Sequence, residues 1–555
     1  MVAICRPVGS NRSALFGFAA IVLLGICSQS ANAGIVSGEL KSISADSQRI
    51  VIVTGAAKTS KTFKLTKQSA ILLNDKKAGI DELSTGMKVS IFTTKSGEVT
   101  KVVARAAKDA DAAATETDGK KSDEDEPSAK SDTDNEKKTA GRKPARRSTK
   151  KSKVEVDDVL NTDWHQFRGP RRDNVSTETG FLKQWPEDGP ALVWGTEGLG
   201  EGYSSVSLSD DMIYTMGTKE GGEYVIAVNV DDGKILWGTK TGSVFQDGAG
   251  NGPRSTPTID GDNLYALGAQ GDLVCLDKKT GAITWQKNIL KEYQANNISW
   301  GICESVLIDG NKLICTPGGR GATMVAIDKL SGDTLWTSEV PTNPAAGYAS
   351  AIVAEVGGVG GVRQYINFTH AGVMGVRAED GIFLWGNQAS ANGTANCSAP
   401  LFYDDYVFSS SGYGTGGALV QLRSANDRTT AEQKYHTNEM ANHHGGMVIV
   451  DGYLYGSHDP GILTCMDVKS GKVKWKDRSV GKGSVLYADG HIYLRSENGP
   501  LALVEANPEE YVEKGRFEQP NRSGRPAWAY HVVTKGKLYL RDLDKLLVYD
   551  ISEGK

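Results

Sequence analysis

Nine side chains stand in short segments that each lead into a predicted strand: Tyr203, Arg254, Trp300, Glu304, Asn396, His443, His444, Lys482 and Trp528. Their types suit one ligand site if the fold gathers them. An indole at Trp300 or Trp528 offers a flat face to a conjugated ring, and Arg254 offers a cation to its oxygens. Glu304 with Asn396 supplies the carboxylate and amide oxygens that a hard cation such as Ca²⁺ prefers. The expected binding residues are therefore Arg254, Trp300, Glu304, Asn396 and Trp528. No second carboxylate is evident as a base, so no catalytic residue is assigned. His443 and His444 are the weaker, metal-binding candidates. Neighbours in a strand point to opposite faces, so both can ligate one ion only if Gly445 and Gly446 bend the chain; otherwise one ring faces the site and the other packs.

What positions these segments is a repeat. An apolar run, a charged turn ending in Gly and a Trp four residues later recur as VIAVNVDDGKILW to Trp237, LVCLDKKTGAITW to Trp285, MVAIDKLSGDTLW to Trp336, VMGVRAEDGIFLW to Trp385 and ILTCMDVKSGKVKW to Trp475. The tryptophans are 48, 51, 49 and 90 residues apart, the last interval holding a degenerate copy that ends at Tyr435. A further copy ends at Phe517, and the final run, LLVYDISEGK, stops before any Trp. A strand-rich period of about 40–50 residues is that of a β-propeller blade. Each unit opens with a hairpin such as PTIDGDNLYALG, in which Asp-Gly makes the tight turn. The fourth departs, with a glycine loop from Gly357 to Gly361. The unassigned strand PALVW, ending at Trp194, supplies the missing outer strand of the last blade. It joins the two chain ends and removes the open sheet edge. The expected fold is thus all-β, an eight-bladed propeller closed by N- and C-terminal strands. In it the tryptophans pack between sheets and donate an indole hydrogen bond.

The propeller is expected to occupy residues 159–555. Residues 1–33 read as a signal peptide, with Arg6 and Arg12, an apolar run, and Ala31-Asn32-Ala33 as cleavage site. The run is too short to span a membrane, and no later segment can. Cys27 follows Ile26 rather than the small residue that lipid attachment prefers. Residues 34–106 alternate in short runs, as a small barrel-like β domain does. Residues 107–158 contain almost nothing apolar and read as a disordered charged linker, acidic at Asp123 to Glu126 and basic from Lys137 to Lys153. Nucleic acid is not expected as a partner, because stacking aromatics are nearly absent from the small domain. Five cysteines follow the leader, with no CxxC and no paired spacing, so neither a disulfide framework nor a zinc motif is indicated.

The pattern A-x-D-x-x-T-G-x-x-x-W, best seen from Ala326 through Gly332 to Trp336, resembles the repeat of the pyrroloquinoline quinone (PQQ)-binding-like β-propellers, and the likeness covers about Asp163 to Lys555. DWHQFRGPRRDNVS, GEGYSS, NHHGG and GRFEQPNRSGRPAW resemble segments of secreted planctomycete-type propellers. The superfamily includes quinoprotein alcohol dehydrogenases and a non-catalytic outer-membrane assembly lipoprotein, so the resemblance fixes fold more firmly than function. This chain lacks the adjacent-cysteine pair and the haem CxxCH of many of those dehydrogenases. The expectation is a secreted periplasmic or cell-envelope protein that binds or scaffolds a small molecule, glycan or envelope protein at its channel mouth. A PQQ-dependent alcohol or polyol dehydrogenase using Ca²⁺ is the alternative.

Overall fold

A computed structural model describes residues 34–105, with short interruptions at 45–48, 55–58, 67–68, 74–75 and 94–97, and residues 163–554 except 359. The expected leader and linker lie outside the described residues. The chain divides into two compact units, within residues 1–148 and 149–555.

The first unit is one seven-stranded sheet in the order Thr59–Lys64, Arg49–Thr54, Gly34–Ser44, Lys88–Thr93, Val99–Arg105, Ala70–Leu73, Lys76–Lys77. All pairs are antiparallel except Ala70–Leu73 against Val99–Arg105. Leu40, Ile50, Ile52, Val89, Ile91 and Val102 make its core. A 3₁₀ turn stands at Ile80–Glu82, where a short helical piece is expected from the sequence. Among the described residues the pairings form an order with two ends rather than a closed barrel.

The second unit consists of four-stranded antiparallel sheets, eight among the described residues. The first is built from Ser207–Ser209, Met212–Lys219, Gly222–Asn229 and Ile235–Ser243. The last combines Val532–Thr534, Lys537–Asp542 and Lys545–Asp550 with Ala191–Thr196 from the other end of the chain, in register Val548 to Trp194. Apolar faces of neighbouring sheets meet in the core, as where Tyr214, Met216 and Val225 of the first pack on Leu264, Ala266 and Val274 of the second.

Most of the repeat aromatics lie on the turn glycine of the following sheet, where the backbone adopts positive φ and a Cβ would crowd the ring; the copies that follow Trp385 and Trp475 lack that glycine. A Cβ on Gly281, at φ 72°, would stand 2.5 Å from the Trp237 ring. Trp285 covers Gly332, Trp336 covers Gly381, and Tyr435 covers Gly471 in the same way. Indole N–H groups of Trp194, Trp285 and Trp475 donate to the carbonyls of Val230, Lys329 and Asn507. Those of Trp237 and Trp336 are buried without a partner, so the expected hydrogen bond is not general.

In the seventh sheet the register corrects the sequence reading. Gly515, not Phe517, stands opposite Leu503 at the tryptophan place. Trp185, from the lead-in, closes over Gly515, while Phe517 still covers the turn glycine Gly189 of the next sheet.

Hydrogen bonds near the starts of the inner strands join each sheet to its neighbour. The Ser205 and Thr256 amides donate to Thr256 Oγ1 and Ser305 Oγ, and the Ser305 amide to Ser350 Oγ. The links continue from Tyr348 to Asn396, Ser398 to His443, Val485 to Gly445 and Ser484 to His531, and Ser205 Oγ donates to the Tyr530 carbonyl.

Candidate functional site

The segment before the first sheet crosses the space inside this belt. The Trp164 and His165 carbonyls accept from the Leu208 and Ile259 amides, at 2.9 and 2.8 Å. Arg168 Nη2 donates to the Met447 carbonyl at 2.5 Å, and Arg172 Nη2 to that of Ser305 at 2.7 Å. The Asn174 carbonyl accepts from the Tyr487 amide, and the Ser176 amide donates to the Tyr487 carbonyl. One short segment thereby ties inner strands of five sheets. Arg168, Arg172 and Asn174 hold positive φ (64°, 57° and 62°) to make the turns. Both guanidiniums are buried with no carboxylate in contact, and desolvation lowers their pKa values, that of Arg172 to about 10.

Directly before Arg168, Phe167 meets Tyr530 edge-on, 5.1 Å between ring centres, and lines a cavity of about 350 Å³. Apart from Tyr413, in the turn between Tyr406–Ser411 and Gly416–Ala425, the other lining residues lead into the inner strands, so the crossing segment is the floor of a pit at the end where those strands begin. Its walls are largely aromatic. Trp528 lies 4.9 Å from Tyr203, Trp300 lies 5.6 Å from Tyr348, and Tyr413 meets His443 at 4.8 Å.

Of the residues singled out in sequence, Tyr203, Arg254, Trp300, His443, His444 and Trp528 line this pit together. The Arg254 guanidinium is braced by the carbonyls of Gly250 and Gly252 and stands 4.8 Å above the Phe245 ring. Lys482 sits behind the wall, its Nζ 2.8 Å from both His443 Nδ1 and Asp459 Oδ1.

Glu304 and Asn396 do not line the pit. Glu304, 3% exposed, accepts from the Thr316 amide at 2.6 Å, from Thr316 Oγ1 at 3.0 Å and from Asn367 Nδ2 at 3.1 Å. Burial raises its pKa to about 7 against these bonds and the charge of Arg172. Asn396 spends its amide on the Thr369 and His370 carbonyls and its Oδ1 on the Asn392 amide. The sequence places them beside the ligand because they share the segment, but they face sideways into neighbouring sheets.

The histidine pair also departs from expectation. Residues 442–446 form a loop ahead of Met447–Val450, so strand alternation does not apply. Asn442 Nδ2 ties the loop to the Gly446 and Ser457 carbonyls, and both imidazoles line the pit with ring centres 4.9 Å apart. Among the described residues no group of three or more His, Cys, Asp and Glu is placed to hold a metal ion.

Sequence reasoning missed Phe167 and Tyr413, which lie outside the segments it selected. Tyr348 and Tyr530 sit inside such segments but were not singled out, and the aromatic in GYAS and RPAWAY is the signal that could have found them. Cys303 and Cys397 also line the pit as half-buried thiols, their pKa values raised by desolvation, that of Cys303 to about 11.

PQQ with Ca²⁺ would need carboxylate and amide oxygens beside the aromatic walls. Among the described residues no Asp or Glu lines the pit, and the two residues suggested for the ion are committed elsewhere, so the residues present do not fit that pair.

The profile of the family described as outer membrane protein assembly factor BamB matches residues 175–301 and 221–477. The chain is 22% identical to that factor from Yersinia pestis over 351 residues, covering 60% of this chain and 73% of the relative. It is 24% identical to the Salmonella typhimurium protein over 328 residues, covering 56% and 66%. The quinohemoprotein alcohol dehydrogenase of Comamonas testosteroni superposes with a TM-score of 0.50 at 12% identity, covering 72% of this chain and 82% of that one, a likeness of fold. Matched over more than half its length, this chain belongs to that family of PQQ-like β-propeller proteins.

Proposed function

We propose that residues 159–555 form an eight-bladed propeller closed by the strand at Trp194, and that it works as a cell-envelope binding module whose ligand sits in the pit above Phe167. The single observation carrying the binding reading is the pit itself. Sheet packing has no use for so many aromatic rings around one cavity, and a large apolar recess with a few convergent polar groups is the default ligand site. The name of the sequence relatives and the expected leader at residues 1–33 both support an envelope location. An envelope protein docked on the blade faces is the further partner this family reading supports.

Titration with 1-anilinonaphthalene-8-sulfonate tests the pit. One dye should bind per chain with energy transfer from Trp300 and Trp528. Ala249→Trp, which fills the cavity, should abolish that site; undiminished binding would place it elsewhere. The dehydrogenase reading is tested beside it, since dye-linked alcohol oxidation with added PQQ and Ca²⁺ should stay at background.

A further inference from the structure

His443 and His444 each spend one ring nitrogen outside the pit, and their partners leave no choice of proton position. Lys482 Nζ lies 2.8 Å from His443 Nδ1. An ammonium has three N–H groups and no lone pair, so it can only donate. Nδ1 must therefore be bare, and the proton of the neutral ring sits on Nε2. The second ammonium contact, 2.8 Å to Asp459 Oδ1, holds Lys482 in place.

The neighbouring ring is fixed from the opposite side. His444 Nε2 lies 2.9 Å from Glu497 Oε2, which also accepts from Trp528 Nε1 at 3.1 Å. Burial opposes ionisation of Glu497, but the bonds from His444 and Trp528 outweigh it and its pKa falls to about 2. A carboxylate can only accept, so Nε2 of His444 carries the proton and Nδ1 is bare. Both rings are neutral near pH 7. Burial, then His444 and Lys482, lowers the His443 pKa to about 4, and burial lowers that of His444.

We propose that this pair presents one N–H donor, His443 Nε2, beside one bare acceptor, His444 Nδ1. The ligand it selects is a neutral planar heterocycle with a carbonyl next to a ring N–H. The inference rests on the pit being the ligand site. The carbonyl accepts from His443 and the ring N–H donates to His444, while the heterocycle packs among the rings of Trp528, Tyr203 and Trp300. Neutrality follows from the walls, which among the described residues hold a single formal charge, Arg254, already braced by two backbone carbonyls. A carboxylate ligand has no proton for His444, and an ammonium ligand has no acceptor for His443.

Two measurements test this on the full chain. In ¹⁵N-histidine spectra at pH 7, both side chains, assigned through His443→Gln and His444→Gln, should show the Nε2–H tautomer; an Nδ1–H tautomer at either overturns the proposal. Lumichrome, a tricyclic heterocycle with a carbonyl between N1–H and N3–H, is then titrated against 1,3-dimethyllumichrome, which has no ring N–H. Loss of one buried hydrogen bond predicts at least a tenfold preference for lumichrome, on the order of 1.4 kcal/mol. Lys482→Met and Glu497→Gln, which leave the cavity lining in place but free the tautomers, should cut that preference to below about threefold. Equal affinities, or no binding of either heterocycle, overturn the ligand class. Dye binding blocked by Ala249→Trp would still uphold the pit, so the two readings fail separately.

Discussion

Trp194 lies on Gly233, so the first described strand of the second unit packs against the turn of the sheet that follows it. A Cβ on Gly233 would stand 2.6 Å from the Trp194 ring, and the indole N–H donates to the Val230 carbonyl at 3.1 Å. Trp285 makes the same pair of contacts with Gly332 and Lys329. The join between the two chain ends is therefore chemically the same as a join inside the repeat.

Trp194→Ala should lower stability by about 2–4 kcal/mol, because it removes a large ring from between two sheets and leaves a void. Gly233→Ala should also destabilise, since its φ of 72° and the overlying ring both exclude a Cβ. Removing residues up to Gly195 strips the outer strand from the last sheet and should yield aggregates. Thermal melts with light scattering read all three. An unchanged melting temperature in the truncated chain would refute closure by this strand.

How much of this was legible in sequence differs by element. The Trp of one repeat packs on the turn Gly of the next, and because each full copy supplies one of each, the two recur four residues apart wherever a copy keeps both. The seventh copy keeps neither in register: Gly515 takes the aromatic place and Trp185, more than three hundred residues earlier in the chain, fills it, which no local pattern can show. Phe167 was hidden for the same reason, since the crossing segment has no counterpart in the repeat. For Glu304 and Asn396 the segment was right and the direction wrong. A loop that leads into a strand turns some side chains to the pit and some into the next sheet, and only hydrogen-bond partners such as Thr316 and Thr369 decide which.

Glu304 supplies a prediction that separates these roles. Glu304→Ala would leave the Thr316 amide and hydroxyl without their acceptor, take one of two acceptors from Asn367 and leave Arg172 without its nearby countercharge, at a cost of about 2–4 kcal/mol in chemical denaturation. Dye affinity at the pit should not change in the fraction that stays folded. A weakened site with unchanged stability would return Glu304 to the ligand.

Arg254 tests the pit wall in the opposite sense. Arg254→Met keeps an apolar stem over Phe245 but releases the Gly250 and Gly252 carbonyls. The anionic dye should bind several-fold more weakly and lumichrome nearly as before, because only the dye carries charge. An equal loss for both probes would mean that Arg254 shapes the wall rather than reads charge.

Acid should loosen the join between the last two sheets first. His531 is fully buried; its Nε2–H donates to the Tyr493 carbonyl at 3.1 Å, and its Nδ1 accepts from Ser484 Oγ at 3.2 Å. Burial, reinforced by Arg495, lowers its pKa to about 3. In the unfolded chain a histidine takes up its proton near pH 6.5, so between there and pH 3 the unfolded state binds more protons than the folded one. The stability contributed by this neutral ring is whole above pH 6.5 and is lost as pH falls toward 3. Between pH 6.5 and 4.5 the loss should be about 2 kcal/mol, to which His443 adds in the same direction. His531→Gln, which keeps a donor and an acceptor without titrating, should flatten that part of the stability profile while lowering stability at pH 7. A profile equally steep in the variant would assign the acid sensitivity to other groups.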